Sequence, residues 1–429
     1  MANRIMKDSG IEWIGEIPES WEVRPIYLIF DEVIRKNYDL ETINALKFNF
    51  GTIVKKNNFD VSDNYVLNTI KNYTVVDNGN IMINGLNLNY DFVTKRVGMV
   101  TEKGAITSAY LAIKLHKDSN CSCKYMTYLL KSYDDCRAFH GMGEGVRKIL
   151  SFSELKKKLI ILPLLSEQKA IADYLDTKCA EIDSLKADIT EQIEVLKQYK
   201  QSVITEAVTK GLDPDVIMKD SGVEWIGEIP ESWEVINPKW YFNQRKDRAK
   251  FGMVQYTASQ KYGVVTQDEY KRLSGANIVT VQKDFDILKL VCPGDFVIHM
   301  RSFQGGLELS TVTGAISSAY VMLIPDKLYV NEKFYKWFFK SSAYIDALSS
   351  TSNLIRDGQA MRFANFIKIL IVLPPISDQK AIADYLDAKC AEIDKIIEAK
   401  GQQLEALEEY KKSMIYEYVT GKKEVPQEV

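Results

Sequence analysis

The chain of 429 residues lacks the features that mark several whole classes of protein. Its six cysteines are too few for a disulfide scaffold, and its three histidines (His116, His140 and His299) make no zinc set with the neighbouring Cys121 and Cys123. No apolar run reaches the roughly 18 residues of a membrane helix, and the N-terminus has no apolar signal-peptide core. We therefore expect a cytoplasmic protein with no membrane segment and no bound metal.

Motifs of the common nucleotide-dependent enzymes are also missing. The sequence has no GxxxxGK[ST] phosphate loop and no paired acids with a lysine at nuclease spacing. The segment FHGMGEG at 139–145 resembles the glycine-rich loop with which methyltransferases bind S-adenosylmethionine. Such a loop should follow a strand and open a helix, whereas here a helix-like stretch precedes it and a strand follows. We expect no catalytic activity and no cofactor bound by this chain.

What the chain does contain is a duplication. MKDSGIEWIGEIPESWEV at 6–23 returns at 218–235 with 17 of 18 positions identical, and LPLLSEQKAIADYLDTKCAEID at 162–183 returns at 373–394 with 18 of 22 identical. The stretches between these copies hardly match. Each half therefore consists of repeated segments, which we call the frame, and of an intervening stretch that differs between the halves, which we call the insert. Cys179 and Cys390 are repeat equivalents on helical sequence, where a buried small apolar residue is expected.

The net charge of -3 hides an uneven distribution. Residues 24–165 carry 20 Lys and Arg against 14 Asp and Glu (+6), and residues 236–375 carry 18 against 11 (+7). The helical repeats are acidic, with 6 against 9 at 166–210 and 8 against 12 at 376–429. Positive charge that could meet a phosphate backbone therefore lies in the inserts, although a surplus of this size is also ordinary surface variation.

An apolar stripe at steps of three, four and seven predicts a long helix after each Leu-Pro pair, with Ser166 or Ser377 as N-cap and Glu167 or Asp378 in the first turn. About 40 residues at 1.5 Å each make a rod of roughly 60 Å. Two such rods bury their stripes most simply against each other, as a spacer. The seam that we assign to spacing and partner docking comprises Ile182, Leu185, Ile189, Leu196, Tyr199, Ile393, Ile396, Leu404, Leu407 and Tyr410.

The two inserts have a common, strand-like pattern. TVVDNGNIMIN at 74–84 and KLVCPGDFVIH at 289–299 each place a glycine turn between β-rich runs, and GAITSAYLAI at 104–113 matches GAISSAYVML at 314–323. Helix-like stretches follow at 124–139 and 332–348. Each insert is therefore predicted to be a small mixed α/β domain.

The repeated segments at 6–23 and 218–235 (the heads), the run GVRKILSFSELKKKLIILPLLSEQKAIADYLD and the duplicated order of insert and helix resemble the specificity subunit of type I restriction-modification enzymes, across essentially the entire chain. The resemblance implies two target-recognition domains that each read half of a split double-stranded DNA site, and two antiparallel helices that set the gap. It implies a non-catalytic subunit that recruits two modification (methyltransferase) subunits and, through them, restriction subunits. S-adenosylmethionine, ATP and Mg are then expected in those partners. The second copy lacks the sequence GVRK of Gly145–Lys148, and Arg356 or Arg362 could take the place of the basic residues of that motif.

The resemblance places DNA-reading residues where the copies differ. Amide side chains pair with adenine and Arg with guanine, although Asn and Gly at these positions could simply shape a turn. In the loops after the glycine turns the candidates are Asn84, Asn87, Asn89, Tyr90, Lys95, Arg96, His299, Arg301, Ser302 and Gln304. Charge clusters suited to phosphate contact, or equally to a solvated surface, are Lys55, Lys56, Arg245, Lys246, Arg248 and Lys250. The tryptophans of the identical heads (Trp13, Trp21, Trp225 and Trp233) are predicted to form a shared packing or docking surface rather than to stack on bases.

The predicted fold class is mixed α/β: two small target-recognition domains separated by two long helices that form an antiparallel intramolecular coiled coil, with a pseudo-two-fold repeat. The predicted boundaries are 1–165 for the first domain, 166–210 for the first helix, 211–376 for the second domain, 377–420 for the second helix and 421–429 for a tail. The alternative is a coiled-coil adaptor that does not bind DNA. The seams fit both, and the basic inserts favour DNA recognition.

Overall fold

The computed structural model describes residues 4–57, 62–143, 148–276, 285–351 and 362–426. The chain divides into two compact units, of which unit 1 comprises residues 1–189 and 402–429 and unit 2 comprises residues 190–401. Residues 145–147 and Arg356, which belong to the segments compared above, lie outside the described ranges.

Unit 1 is a set of short antiparallel strands with helices packed on them. Its central sheet has four strands in the order β4-β11-β8-β9. Its strands are β1 (Met6–Asp8), β2 (Glu16–Pro18), β3 (Glu22–Pro25), β4 (Phe30–Glu32), β5 (Leu46–Asn49), β6 (Thr52–Lys55), β7 (Thr74–Val76), β8 (Ile81–Ile83), β9 (Val97–Met99), β10 (Gly104–Ile106), β11 (Leu111–Leu115) and β12 (Leu159–Leu162). The helices that begin in this unit are α1 (Asn64–Lys71), α2 (Cys123–Asp135), α3 (Phe152–Leu155) and α4 (Leu165–Lys210).

Unit 2 repeats this plan, and its central sheet has the equivalent order β16-β23-β20-β21. Its strands are β13 (Met218–Asp220), β14 (Glu228–Pro230), β15 (Glu234–Ile236), β16 (Phe242–Gln244), β17 (Tyr256–Ser259), β18 (Gly263–Thr266), β19 (Lys289–Val291), β20 (Phe296–Ile298), β21 (Glu308–Leu309), β22 (Gly314–Ile316), β23 (Val321–Pro325) and β24 (Ile371–Leu373). Its helices are α5 (Gln267–Ser274), α6 (Ser302–Gly305), α7 (Glu332–Phe338), α8 (Ser342–Ser350), α9 (Phe363–Phe366) and α10 (Ile376–Val419). Short 3-10 turns lie at Ile26–Leu28, Pro238–Trp240 and Phe285–Ile287.

The two shared pieces of sequence meet in space within each unit. Strand β3 of the head pairs antiparallel with β12, which leads into α4, and β15 pairs in the same way with β24 before α10. The buried tryptophans Trp21 and Trp233 add a second link, since each indole N–H donates to a carboxylate in the first turn of the following long helix, Glu167 at 2.9 Å and Asp378 at 3.1 Å. The prediction that these tryptophans pack is confirmed.

The N-cap prediction is wrong, because α4 already begins at Leu165 and α10 at Ile376. Ser166 and Ser377 therefore lie inside the first turn. A buried glutamine organises each junction instead: Gln168 accepts from the Ser122 N–H at 2.8 Å and donates to the Pro163 carbonyl. Gln379 makes the equivalent bonds to Asn331 and Pro374. These contacts fix the insert helix against the start of the long helix.

Each unit contains the start of one long helix and the end of the other. The core of unit 1 joins Ile171 and Leu175 of α4 to Ile415 and Val419 of α10, and the core of unit 2 joins the end of α4 at Val208 to the start of α10. Cys179 and Cys390 are buried among these apolar residues as predicted. The helix predicted at 332–348 is broken between α7 and α8, where the Ser341 hydroxyl accepts from the Tyr344 N–H and restarts the helix.

The paired helix segments run antiparallel within each unit. In unit 1 Lys186 pairs with Glu408 at 2.6 Å and Lys411 with Asp183 at 2.6 Å. In unit 2 Lys200 pairs with Asp394 at 2.6 Å, and Lys400 donates to Gln192 at 2.5 Å. As the residue number rises along one helix it falls along its partner, which is the register of an antiparallel pair. The predicted fold class is confirmed.

Candidate nucleic-acid interface

The loops that most distinguish the two units leave equivalent strands. Loop 1 (residues 84–96) joins β8 to β9, and loop 2 (residues 299–307) joins β20 to β21. Both strand pairs are antiparallel and occupy the same edge of the four-stranded sheet. The frame therefore presents two different loops at one topological position.

Arg96 holds loop 1 together from inside. Its side chain is fully buried, and its guanidinium donates to the backbone carbonyls of Asn84 (2.9 Å), Leu86 (2.8 Å) and Asp91 (2.5 Å). Its backbone N–H donates to Asp134, whose pKa burial raises to about 6. Because these donors are used within the loop, we drop Arg96 from the set of candidate base readers.

Other side chains of loop 1 point to solvent. Tyr90 is 69% exposed, and Asn87 is exposed with a left-handed backbone (φ 54°) that asparagine tolerates well. Asn84 and Asn89 are partly buried, and the Asn84 carboxamide oxygen accepts from the Leu86 N–H. The loop thus offers Asn87 and Tyr90 outward while Asn84 shapes its turn.

A stack beside loop 1 was not predicted from the sequence. Phe92, at the loop surface, stacks on His140 with ring centroids 4.9 Å apart, and the Arg137 guanidinium lies 5.2 Å from the Phe92 ring centroid. Arg137 is exposed and adds a positive charge to this surface. No local sequence motif indicates this stack, because the position of Arg137 depends on the turn that follows α2.

Loop 2 divides in the same way into buried and exposed residues. The buried Ser302 hydroxyl accepts from the His299 N–H at 2.9 Å, and His299 Nδ1 accepts from the Arg301 N–H at 3.3 Å. Arg301 and Gln304 are exposed. The loop then turns sharply at Gly306 (φ 76°), where a Cβ would collide with the Phe339 carbonyl oxygen. His299 and Ser302 therefore support the loop, and Arg301 and Gln304 remain as its candidate readers.

A buried polar cluster underlies loop 2. His299 Nε2 lies 3.8 Å from a carboxylate oxygen of Glu308, which Lys340 also contacts. Burial, together with the charges of Lys340 and Arg301, lowers the pKa of His299 to about 4. The imidazole is therefore neutral at physiological pH, and this cluster makes no cationic contribution through His299.

Several of the predicted DNA-contact residues are already paired with carboxylates. Arg245 makes a two-point contact with the buried Asp295 (2.7 and 2.9 Å), which raises the pKa of the guanidinium. Lys95 pairs with Asp135 at 2.8 Å, and Lys55 with Glu102 at 3.2 Å. Lys56, Lys246, Arg248 and Lys250 are exposed. Arg245 is thus a structural residue, whereas the other four side chains lie at the surface.

The predicted helical seam is buried only in part. Ile182 and Ile393 are buried, and Ile189, Leu196, Leu404 and Leu407 are half-buried. Four seam residues remain largely exposed in their own units, and they form equivalent pairs in the two repeats: Leu185 with Ile396, and Tyr199 with Tyr410. A two-helix pair covers only a narrow stripe, so this wider apolar face is left open.

The described residues offer neither a metal site nor a membrane-spanning helix. No group of three His, Cys, Asp or Glu side chains in these ranges is arranged to hold a metal ion. Among the helices of the same ranges, none is long and apolar enough to cross a membrane.

Comparison with known proteins links this geometry to one family. Residues 18–195 match the family model of the type I restriction modification DNA specificity domain. The putative type I restriction enzyme MjaX specificity subunit of Methanocaldococcus jannaschii is 26% identical over 95% of both chains. The EcoKI specificity subunit of Escherichia coli is 22% identical over 89% of this chain and 84% of its own.

Solved structures agree in fold. A chain from a structural study of complex assembly in the type I R-M system matches with a TM-score of 0.67 at 12% identity, covering 94% of this chain and 99% of its own. The HsdS subunit from Thermoanaerobacter tengcongensis matches with a TM-score of 0.50, also at 12% identity, covering 94% and 98%. Residues 18–195 thus match the DNA specificity domain of type I restriction-modification systems, and the chain as a whole is similar to type I restriction enzyme specificity subunits.

Proposed function

We propose that this chain is the sequence-specific DNA-recognition subunit of a type I restriction-modification complex, and that each unit reads one half of a split DNA site. The observation that carries the proposal is the pair of unlike loops on like frames. Loop 1 and loop 2 lead from equivalent inner strands, β8 and β20, to equivalent edge strands, β9 and β21, of sheets with the same strand order, yet they share neither length nor sequence. Two different readers on one scaffold suit a site whose halves differ.

The exposed chemistry of the loops suits base edges. Arg301 carries the donor fork that matches the O6 and N7 acceptors of guanine, and Gln304 and Asn87 carry amides that match adenine. Tyr90 offers an exposed ring and hydroxyl on loop 1. The buried Arg96 and Ser302 hold these side chains in defined positions, which lowers the entropy cost of binding.

Methyltransferase and restriction subunits are the proposed partners. Unit 1 exposes Leu185 and Tyr410 on its helix segments, and unit 2 exposes their repeat equivalents Ile396 and Tyr199. These residues supply two matched docking surfaces, one for each of two modification subunits. S-adenosylmethionine, ATP and Mg belong to those partners, and this chain contributes recognition without catalysis. The long helices fix the number of base pairs between the half-sites.

Methylation sequencing tests the proposal. The chain is expressed with its cognate methyltransferase subunit in a host that lacks other methylases, and genomic DNA is sequenced with modification detection. We expect one bipartite motif with a fixed gap. A host genome without new methylation, together with no gel shift of mixed-sequence duplexes by the purified complex, would favour the adaptor alternative. Transplanting residues 24–158 from a relative should change one half of the motif only.

A further inference from the structure

One segment is nearly identical in the two otherwise divergent inserts. Residues 104–110 read GAITSAY and residues 314–320 read GAISSAY, with six of seven positions the same. Each begins in a strand, β10 or β22, and ends in the turn before β11 or β23. A feature common to both inserts cannot distinguish two half-sites, so its role must be one that both units share.

Packing accounts for the first three residues of the segment. A Cβ on Gly104 would lie 2.6 Å from a Leu46 side-chain carbon, and one on Gly314 would collide with the Tyr256 ring. The following Ala and Ile are buried in both units. Close approach of a neighbouring strand therefore explains Gly-Ala-Ile.

Packing does not account for the Ser-Ala pair that follows. Ser108 with Ala109 and Ser318 with Ala319 are exposed in tight turns closed by Tyr110 N–H to Thr107 O (3.4 Å) and Tyr320 N–H to Ser317 O (3.1 Å). The Ser108 hydroxyl donates to the Asn72 carbonyl at 2.9 Å, whereas Ser318 has no side-chain hydrogen bond to any residue within the described ranges. A local bond therefore cannot be the common reason for this serine.

A cation lies beside each turn at an equivalent position. The backbone of Lys36 forms an isolated antiparallel β-bridge with Thr74, and the backbone of Arg248 forms one with Lys289. Thr74 and Lys289 begin the equivalent strands β7 and β19, so the two β-bridges occupy matching positions. The Lys36 ammonium donates to Ser108 Oγ at 2.5 Å and reaches the Asn72 carbonyl at 3.5 Å.

Unit 2 has two cations at the equivalent place. Arg248 donates to the Ile287 carbonyl at 2.7 Å, and Lys289 to the Tyr320 carbonyl at 2.6 Å. The neighbouring pair is close enough to matter electrostatically, since burial and the charge of Arg248 lower the pKa of Lys289.

These three cations keep their charge uncompensated. Among the residues that the structure describes, no carboxylate lies within ion-pair distance of Lys36, Arg248 or Lys289. Arg245, by contrast, is neutralised by Asp295. Carbonyl oxygens hold the three side chains in place beside an exposed serine turn, and the charge remains for an external anion.

We propose that the turns at 107–110 and 317–320, with Lys36 in unit 1 and Arg248 and Lys289 in unit 2, bind phosphates of the DNA backbone. This inference rests on the proposed DNA-recognition function and assigns to each unit a contact that is independent of base sequence. Phosphate contacts fix the register of a protein on the duplex, and hydroxyl, Lys and Arg side chains make many of them. A shared contact of this kind would present loops 1 and 2 to the bases in the same way.

The test uses the complex of the full chain with its methyltransferase subunit. Binding is measured by fluorescence anisotropy on a duplex that carries the methylated motif and on a scrambled duplex, across a series of salt concentrations. Lys36→Gln and the double variant Arg248→Gln, Lys289→Gln remove the proposed charges. Lys117→Gln removes a charge from an exposed site beyond the other end of β11 and serves as the matched control.

We expect the removal of each cation to weaken binding to both duplexes about tenfold at low salt, since its charged hydrogen bond to a phosphate is no longer made. The slope of log K against log salt should become shallower by about 0.9 for each phosphate that the variant no longer binds. The methylated motif should not change. Lys36→Arg should keep the wild-type slope, and Ser318→Ala should weaken both duplexes about fivefold without altering the slope.

Different results would contradict the phosphate assignment and the proposed function. Unchanged slopes in the Gln variants, or a change in the methylated motif, would overturn the phosphate assignment. Failure of the wild-type complex to bind either duplex would instead overturn the proposed function itself. Thermal melting checks folding. If Lys36→Gln or the double variant melts early, the decision rests on the additional single variant Arg248→Gln, because the Arg248 side chain is exposed.

Discussion

The indole nitrogen of Trp21 lies 2.9 Å from the Glu167 carboxylate, and Trp233 repeats this contact with Asp378 at 3.1 Å. Each bond ties the buried tryptophan of a head to the first turn of a long helix. Glu167 also pairs with Arg4 at 2.5 Å, so the carboxylate contacts both the head and a residue that precedes it. The identical heads and helix starts in the sequence are thus one structural device, used once in each unit.

Removing the indole donor should destabilise the unit that contains it. Trp21→Phe keeps an aromatic ring but leaves part of the pocket empty and one carboxylate oxygen without its donor. We expect a loss of about 1–3 kcal/mol in the free energy of unfolding, measured by chemical denaturation, and a similar loss for Trp233→Phe. Trp240→Phe is the control. Trp240 is 71% exposed, so its replacement should stay within about 0.5 kcal/mol of wild type.

The frame could be predicted well from the sequence because its segments occur twice in the chain. Periodicity placed both long helices within one residue of their starts, and the matching runs around Gly79 and Gly294 correctly marked the strands on either side. The N-cap assignments of Ser166 and Ser377 were wrong, because a serine followed by an acidic residue can occur within the first turn of a helix as well as at its N-cap. Nothing local shows that Glu167 is needed by Trp21, which lies 146 positions away.

The candidate readers were harder to predict, because composition does not reveal which way a side chain faces. Arg96 and Arg301 look alike in the sequence, each in a polar loop after a glycine turn, but one is fully buried and the other exposed. Arg96 donates through its guanidinium to backbone carbonyls of its own loop and through its backbone N–H to Asp134 on α2. Contacts of this kind depend on tertiary packing and not on loop sequence.

Arg301 and Arg245 give a matched pair that separates reading from support. We expect Arg301→Ala to relax one position in one half of the methylated motif, with a decrease of about 1–3 kcal/mol in discrimination and no change in stability. Arg245→Ala should leave the motif intact. It strips the buried Asp295 of its charged partner and should cost about 3–5 kcal/mol of stability. Methylation sequencing and denaturation measure the two effects, and an unchanged motif for Arg301→Ala would remove it from the readers.

The buried His299 should make stability fall in mild acid. Its pKa is about 4 in the folded chain and about 6.5 in the unfolded chain, so between these values the unfolded state binds the extra proton. The contribution is complete above pH 6.5, declines as the pH falls, and ends near pH 4. We expect a loss of about 2 kcal/mol at pH 5 relative to pH 7 from this residue.

His299→Asn isolates this contribution. Asparagine keeps an acceptor close to the place of Nδ1 for the Arg301 N–H but does not titrate. Glu308 and Lys340, which face His299, are present in both proteins, so their own titration largely cancels in the comparison. The drop in unfolding free energy between pH 7 and pH 5 should be smaller in the variant by about 2 kcal/mol. Equal drops in the two proteins would show that His299 is not the titrating group.

The antiparallel helices predict that the gap in the DNA site follows their length. Duplicating residues 183–189 after Ile189 and residues 395–401 after Gly401 adds one heptad to each helix where the chain passes between the units. Seven residues extend a helix by about 10 Å, which corresponds to roughly three base pairs, and a heptad nearly restores the rotational phase. Methylation sequencing should then find the same half-sites with a gap longer by about three pairs.

Insertion into α4 alone is the matched control for this experiment. It shifts one helix against the other, so that Lys186 with Glu408 and Lys200 with Asp394 can no longer both pair in the native register. We expect that single insertion to lower stability and to reduce methylation, whereas the double insertion keeps every pair within its own unit. Methylation of the original gap by the double-insertion variant would show that the helices do not set the spacing, because their register would be intact and only their length would have changed.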